Sequence, residues 1–154
     1  MCSCAKTAQR FEPERYIDAG FILLNDGYEI RGTVKVFSYE DIIFSFSYPE
    51  SLSYLTLRVS SEGYFADIGG SEDEILPDAL PDNAPIKLFA ESIKAFLFEQ
   101  NEFNKNENGE YLTEREILGS SVNAAFASDG KIKEITCDKI NISFSFSEKT
   151  GSVG

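Results

Sequence analysis

Three arginines, Arg10, Arg15 and Arg31, are the side chains of this 154-residue chain best suited to hold a ligand. A guanidinium presents five N–H donors in a rigid fork and grips phosphate or carboxylate oxygens through paired hydrogen bonds. Arg10 and Arg15 stand in a polar N-terminal stretch. Arg31 precedes Gly32 inside a segment of alternating apolar residues. Each also has a local acid, Glu12, Glu14 or Glu29, that would make it an ordinary surface ion. Both readings stay open at this level.

Other chemistries are poorly served. The chain has no histidine, which removes His-based triads and His metal ligation. Cys2, Cys4 and Cys137 give one Cys-x-Cys and a distant third thiol, a poor zinc set, and are expected to be reduced and incidental. Asn104-x-Asn106-x-Asn108-Gly109 imitates the start of a calcium loop. Its twelfth position is Arg115 where a bidentate Glu is needed, so a polar turn is expected. Asp67, Glu72, Asp73 and Glu74 read as a solvated acidic loop rather than an ion site. Gly69-Gly70 lacks the Lys-Ser/Thr of a phosphate loop. Ser45, Ser47, Ser143 and Ser145 alternate with Phe and have no base to activate them. No catalytic residue, metal or cofactor is expected.

Composition agrees with a soluble β domain. Apolar residues make up 42% and aromatics 13%, almost all Phe and Tyr, which favours strands. No apolar run approaches the roughly 18 residues of a membrane span. Met-Cys-Ser-Cys-Ala-Lys-Thr-Ala has no apolar leader core, so a cytoplasmic location is expected. The net charge of −12 is concentrated: residues 61–116 hold 4 Lys+Arg against 14 Asp+Glu, a net of −10. Such acidity repels phosphate backbones, so general nucleic-acid binding is disfavoured.

The elements that must position the arginines begin with residues 1–18, expected as a flexible arm with a helical turn around Thr7–Glu14. Phe21–Ser47 is the strongest local signal. An apolar strand enters a turn at Asn25-Asp26-Gly27, a second strand carries Gly32 at a bend, and Ile42, Phe44 and Phe46 alternate along a third. Leu52–Val59 reads as a fourth strand. Residues 66–85 read as an acidic insertion, with Ser71-Glu72-Asp73-Glu74 as the capping box of a short helix. Ile86–Ala90 and Ile93–Phe98 read as two strands, and Asn101–Glu110 as a connector. Thr113-Glu114-Arg115-Glu116 reads as a second capping box opening a helix that Gly119 stops. Residues 121–148 return to strands around an Asp129-Gly130 turn, and 149–154 form a disordered tail. Gly32–Tyr48 aligns without a gap on Gly130–Phe146. That match leaves two readings, a duplicated half or two strand pairs of one β fold.

Phe21–Phe44 resembles the first motif of Sm-like proteins: Leu23-Leu24, Asp26-Gly27, Ile30, Gly32, Val34, Phe37, then Ile42-Ile43-Phe44. Ile86–Phe96 is similar to the second motif, two short strands that close the barrel. Ser38 stands where that family usually has Asp, and Ala90-Glu91 stands where RNA-binding members have a basic pair. The same stretch resembles a degenerate PilZ domain, a bacterial cyclic-di-GMP receptor. That family pairs an Arg-x-x-x-Arg arm with a later strand motif. Here four residues, not three, separate Arg10 from Arg15, and Val36–Asp41 keeps the motif's Ser as Ser38. Ile93-Lys-Ala-Phe-Leu-Phe98 is similar to the closing strand of a small barrel domain found beside PilZ domains.

These resemblances imply a mainly β fold, a small SH3/Sm/PilZ-like barrel over residues 19–100, with residues 101–148 packed on it. They imply a bacterial signalling or assembly context and a non-catalytic binding or adaptor module. Its expected partner is another protein or a second copy through strand edges. The second function class is a cyclic-dinucleotide sensor using Arg10, Arg15, Arg31 and Ser38. The third is Sm-like RNA binding.

Overall fold

A computed structural model describes residues 11–75, 79–81 and 84–146. Eleven strands lie among these described residues: β1 (Ile17–Asn25), β2 (Tyr28–Ser38), β3 (Asp41–Tyr48), β4 (Leu55–Ser60), β5 (Gly63–Ile68), β6 (Ser71–Ile75), β7 (Asn104–Lys105), β8 (Tyr111–Ile117), β9 (Ser120–Phe126), β10 (Ile132–Thr136) and β11 (Ile140–Ser145). Among the described residues one α-helix, α1 (Pro85–Phe98), separates the first six from the last five. Among the described residues no helix is long and apolar enough to cross a membrane.

All strands belong to one antiparallel sheet in the order β6-β5-β4-β3-β2-β1-β11-β10-β9-β8-β7. Two meanders therefore run outward from a central seam where β1 pairs with β11, for example Phe21 with Phe144 and Leu23 with Ile142. The mainly β expectation holds. A small barrel over residues 19–100 is not what this order describes: residues 17–75 form half of an open sheet whose edges are β6 and β7.

The first hairpin follows its sequence. Asn25 pairs with Tyr28 across Asp26-Gly27, and both loop residues have positive φ (47° and 90°), the mirror-image turn that matches strand twist. Ile17, Ala19, Phe21 and Leu23 are buried while Asp18, Ile22 and Leu24 face solvent. Gly32 sits at a register shift between β2 and β3. A Cβ there would lie 2.0 Å from the Ser45 carbonyl oxygen, so only glycine lets the strands meet at that bend.

Three expected elements are corrected. Residues 86–98 are not two barrel-closing strands but α1. Their apolar residues recur at 86, 89, 93 and 96–97, the spacing of a helix face. Pro85 occupies the start of the helix, where its missing N–H has no partner to lose. Ser71–Glu74 and Thr113–Glu116 do not open helices: they lie in β6 and β8. Each is pinned by a two-residue turn with two positive φ values, Gly69-Gly70 and Leu118-Gly119, which outweighs the local capping pattern. The fourth strand is shorter than expected, since Glu50–Leu52 is a 3-10 turn.

The core lies between the inner face of the sheet and α1. Leu88, Phe89, Ala90, Ile93, Ala95, Phe96 and Leu97 are all buried, so the helix is covered over most of its circumference. Phe89 packs edge-on against Phe21, Phe44 and Phe144, from β1, β3 and β11. The helix region also meets β5 through Tyr64–Glu91 and β8 through Arg115–Glu99. Those strands are eight spacings apart, about 38 Å across a flat sheet at the usual ~4.8 Å per strand. A helix ~10–12 Å wide reaches both only if the sheet curls around it.

Candidate interaction surfaces

The sequence-predicted ligand residues are placed as follows. Arg10 lies outside the described residues, as do Cys2, Cys4 and the expected C-terminal tail. Arg15 Nε donates 2.8 Å to the Leu97 carbonyl, one of the terminal helix carbonyls without an intrahelical partner. Asn101 Nδ2 donates to Ala95 and Glu99 carbonyls nearby (3.0 and 2.9 Å), and Arg115 bonds Asn101 and Glu99 in turn. Arg15 thus belongs to the network that finishes α1. Residues 11–16 are held on the second meander: Phe11 stacks on Tyr111 (4.1 Å) and the Glu14 amide donates to the Gly130 carbonyl (2.8 Å).

Arg31 pairs with Glu29 and lies over the Tyr48 ring, 5.1 Å from its centroid. The Ser38 hydroxyl accepts the Glu40 amide at 3.2 Å, closing the β2–β3 turn. Arg31 and Ser38 are seven residues apart on β2, about 23 Å at ~3.3 Å per residue. The fold does not draw them into one site.

Around the seam, the solvent face carries a different grouping. Register aligns Ser143, Ile22, Arg31 and Tyr48 in one row across β11, β1, β2 and β3, with Leu24 and Glu29 in the adjacent row. Ile22, Leu24 and Tyr48 are 39%, 46% and 49% exposed. Two aliphatics beside a stacked Arg–Tyr pair make a patch of the composition enriched in protein interfaces. The sequence hides this patch, because Ile22 and Leu24 are indistinguishable from core positions until the pleat assigns them outward.

The two sheet edges carry a second feature. In a two-residue hairpin the residues flanking the turn are hydrogen-bonded to each other, and bonding then alternates along the ladder. Ser71, Asp73 and Ile75 therefore bond to β5, and the N–H and C=O groups of Glu72 and Glu74 point away from the sheet. By the same alternation Glu114 and Glu116 turn their backbone groups outward from β8. Period-two glutamates in both Ser/Thr-Glu-x-Glu stretches were the available sequence signal.

Glu72 accepts two hydrogen bonds from Arg58, each 3.0 Å, across the outer face of β4–β6. That pairing holds its carboxyl below the ordinary value and raises Arg58. Glu110 is lowered likewise, first by Lys133 and then by Asn106 Nδ2, while Lys133 is raised. The calcium-like Asn104–Gly109 stretch is the β7–β8 turn, where Asn106 Oδ1 accepts the amides of Asn108 and Glu110 at 2.9 Å. A shallow cavity of about 390 Å³ lies on the outer face of β8–β10, lined by Leu112, Glu114, Asn123, Ala125, Glu134 and Thr136. Cys137 is a half-buried free thiol. Among the described residues, no group of three or more Cys, Asp or Glu is placed to hold a metal ion.

A scan against protein-family models returns no match for this chain, and a search of curated proteins returns none either.

Proposed function

We propose that this protein is a non-catalytic binding or adaptor module that acts by protein–protein contact through the outer face of its central strands. The observation that carries the reading is the cross-strand row Ile22–Arg31–Tyr48 with Leu24 beside it. Folding leaves these residues on the solvent face of β1–β3, the most extensively paired strands of the sheet, although the inner face could have used their apolar surface. A rigid sheet that displays two aliphatics and a preorganised Arg–Tyr stack is suited to a partner surface, since little side-chain order is lost on docking. The bacterial signalling or assembly setting rests on the sequence resemblance of Phe21–Phe44 to Sm-like and PilZ motifs alone, since these strands belong to the open eleven-stranded sheet.

The test is site-specific photo-crosslinking in cells of the source organism. A photoreactive phenylalanine at position 48 is expected to give a discrete adduct that Ile22→Glu abolishes. The same probe at Tyr16, exposed and six residues before Ile22 along the chain, about 20 Å at ~3.3 Å per residue, is expected to give none. Equal adducts at both positions, or none at position 48, would overturn the proposal.

A further inference from the structure

We propose that the free edge of β6 accepts an extended, basic segment of a partner protein as an added antiparallel strand. β6 is paired on one side only, to β5. No described residue pairs with the outward N–H and C=O groups of Glu72 and Glu74, which form a ready template for strand addition. Side-chain chemistry then selects the occupant. Glu72 and Glu74 project to one face and Asp73 to the other, so an incoming strand meets carboxylates on both of its faces. Glu72 is engaged by Arg58, whereas Asp73 and Glu74 enter no ion pair among the described residues. Ile75 at one end of the edge and Ile68, 61% exposed, at the other offer apolar contact.

A second copy of this chain is the wrong occupant. It would set three carboxylates against three, and like charges facing each other across strands are destabilising. The overall charge of −12 adds to that repulsion. The opposite edge offers less room. β7 already covers the start of β8, and Arg115 ties β8 to Glu99 and Asn101. The inference rests on the binding-module reading but uses a surface apart from the Ile22 patch.

The probe is a capped peptide of about eight residues, the length of an ordinary strand, alternating lysine and valine. It is titrated into the full chain at about 0.15 M ionic strength, where long-range attraction is screened beyond ~8 Å. NMR shift changes are expected to centre on Ser71–Ile75, with slowed exchange of the Glu72 and Glu74 amides. Asp73→Lys with Glu74→Lys, both exposed positions, should weaken binding roughly tenfold or more, a change of ~1.4 kcal/mol or greater. A peptide of equal charge, N-methylated on alternate residues so that it cannot pair, should bind far more weakly. Ile22→Glu should leave the titration unchanged, which separates this proposal from the outer-face reading. Absence of binding, equal binding of the methylated peptide, shifts away from β6, or dimerisation of the chain alone through this edge would each overturn it.

Discussion

Replacing Ser92 with alanine should make this protein more stable. Ser92 is fully buried on α1, and among the described residues its hydroxyl has no hydrogen-bond partner. A buried hydroxyl left unmade costs about 1–3 kcal/mol, because its hydrogen bonds to water are lost without replacement. Alanine also raises helix propensity by a few tenths of a kcal/mol, up to ~0.5. Against these stands the loss of one oxygen's packing contacts at about 0.1–0.2 kcal/mol each, less than ~1 kcal/mol in sum. The balance is a gain of about 1 kcal/mol, equivalent to a Tm rise of roughly 2–4 °C for a chain of this size. Urea unfolding followed by circular dichroism measures it as a higher midpoint at unchanged slope. Ser45→Ala, on the exposed face of β3, is the control and should move stability by no more than about 0.5 kcal/mol. A midpoint for Ser92→Ala equal to or below that of the parent chain would refute the reasoning, since it would mean the hydroxyl is satisfied in the folded protein.

Other expectations follow from the same contacts. Gly32→Ala should destabilise by about 2 kcal/mol, since its Cβ would fall on the Ser45 carbonyl and the strands must part; thermal unfolding reads this directly. Arg15→Ala should lower stability by about 1 kcal/mol and speed amide exchange in the last turn of α1, with Arg15→Lys restoring little because the planar fork is lost. The depressed carboxyls of Glu72 and Glu110 contribute stability that is present above their ordinary value of 4.5 and is lost as pH falls through the lower folded values. Glu72→Gln with Glu110→Gln should therefore cost stability at neutral pH and cost nothing well below pH 4.5, and high salt should shrink the difference at neutral pH.

The legible part of the fold is local. Asp26-Gly27 specifies its own turn because both residues accept positive φ, and Ile42, Phe44 and Phe46 point one way because the pleat has a period of two. The turn between β9 and β10 was readable from its glycine, since Gly130 takes a positive φ of 99°. The candidate surfaces were not. Arg15 looks like a ligand arginine until the end of α1, 82 residues away, arrives to take its Nε. Ile22 and Leu24 look like core until β1 is paired on both sides and its inner face is seen to be Ala19, Phe21 and Leu23.

The amino-acid order alone determined a mainly β chain, its acidic middle and its tightest turns, since each depends on a residue's own backbone freedom or on immediate neighbours. Tertiary structure decided the rest. The two short apolar runs within Ile86–Phe98 each suit a strand, yet the whole stretch carries helical spacing, and it becomes α1 where a curled sheet can surround it. Ser/Thr-Glu-x-Glu suits a helix cap or a strand, and both copies become strands because hairpin partners hold them there. Whether six strands close on themselves or join five more was settled by β1 pairing with β11, a contact between residues more than a hundred positions apart that no local pattern encodes.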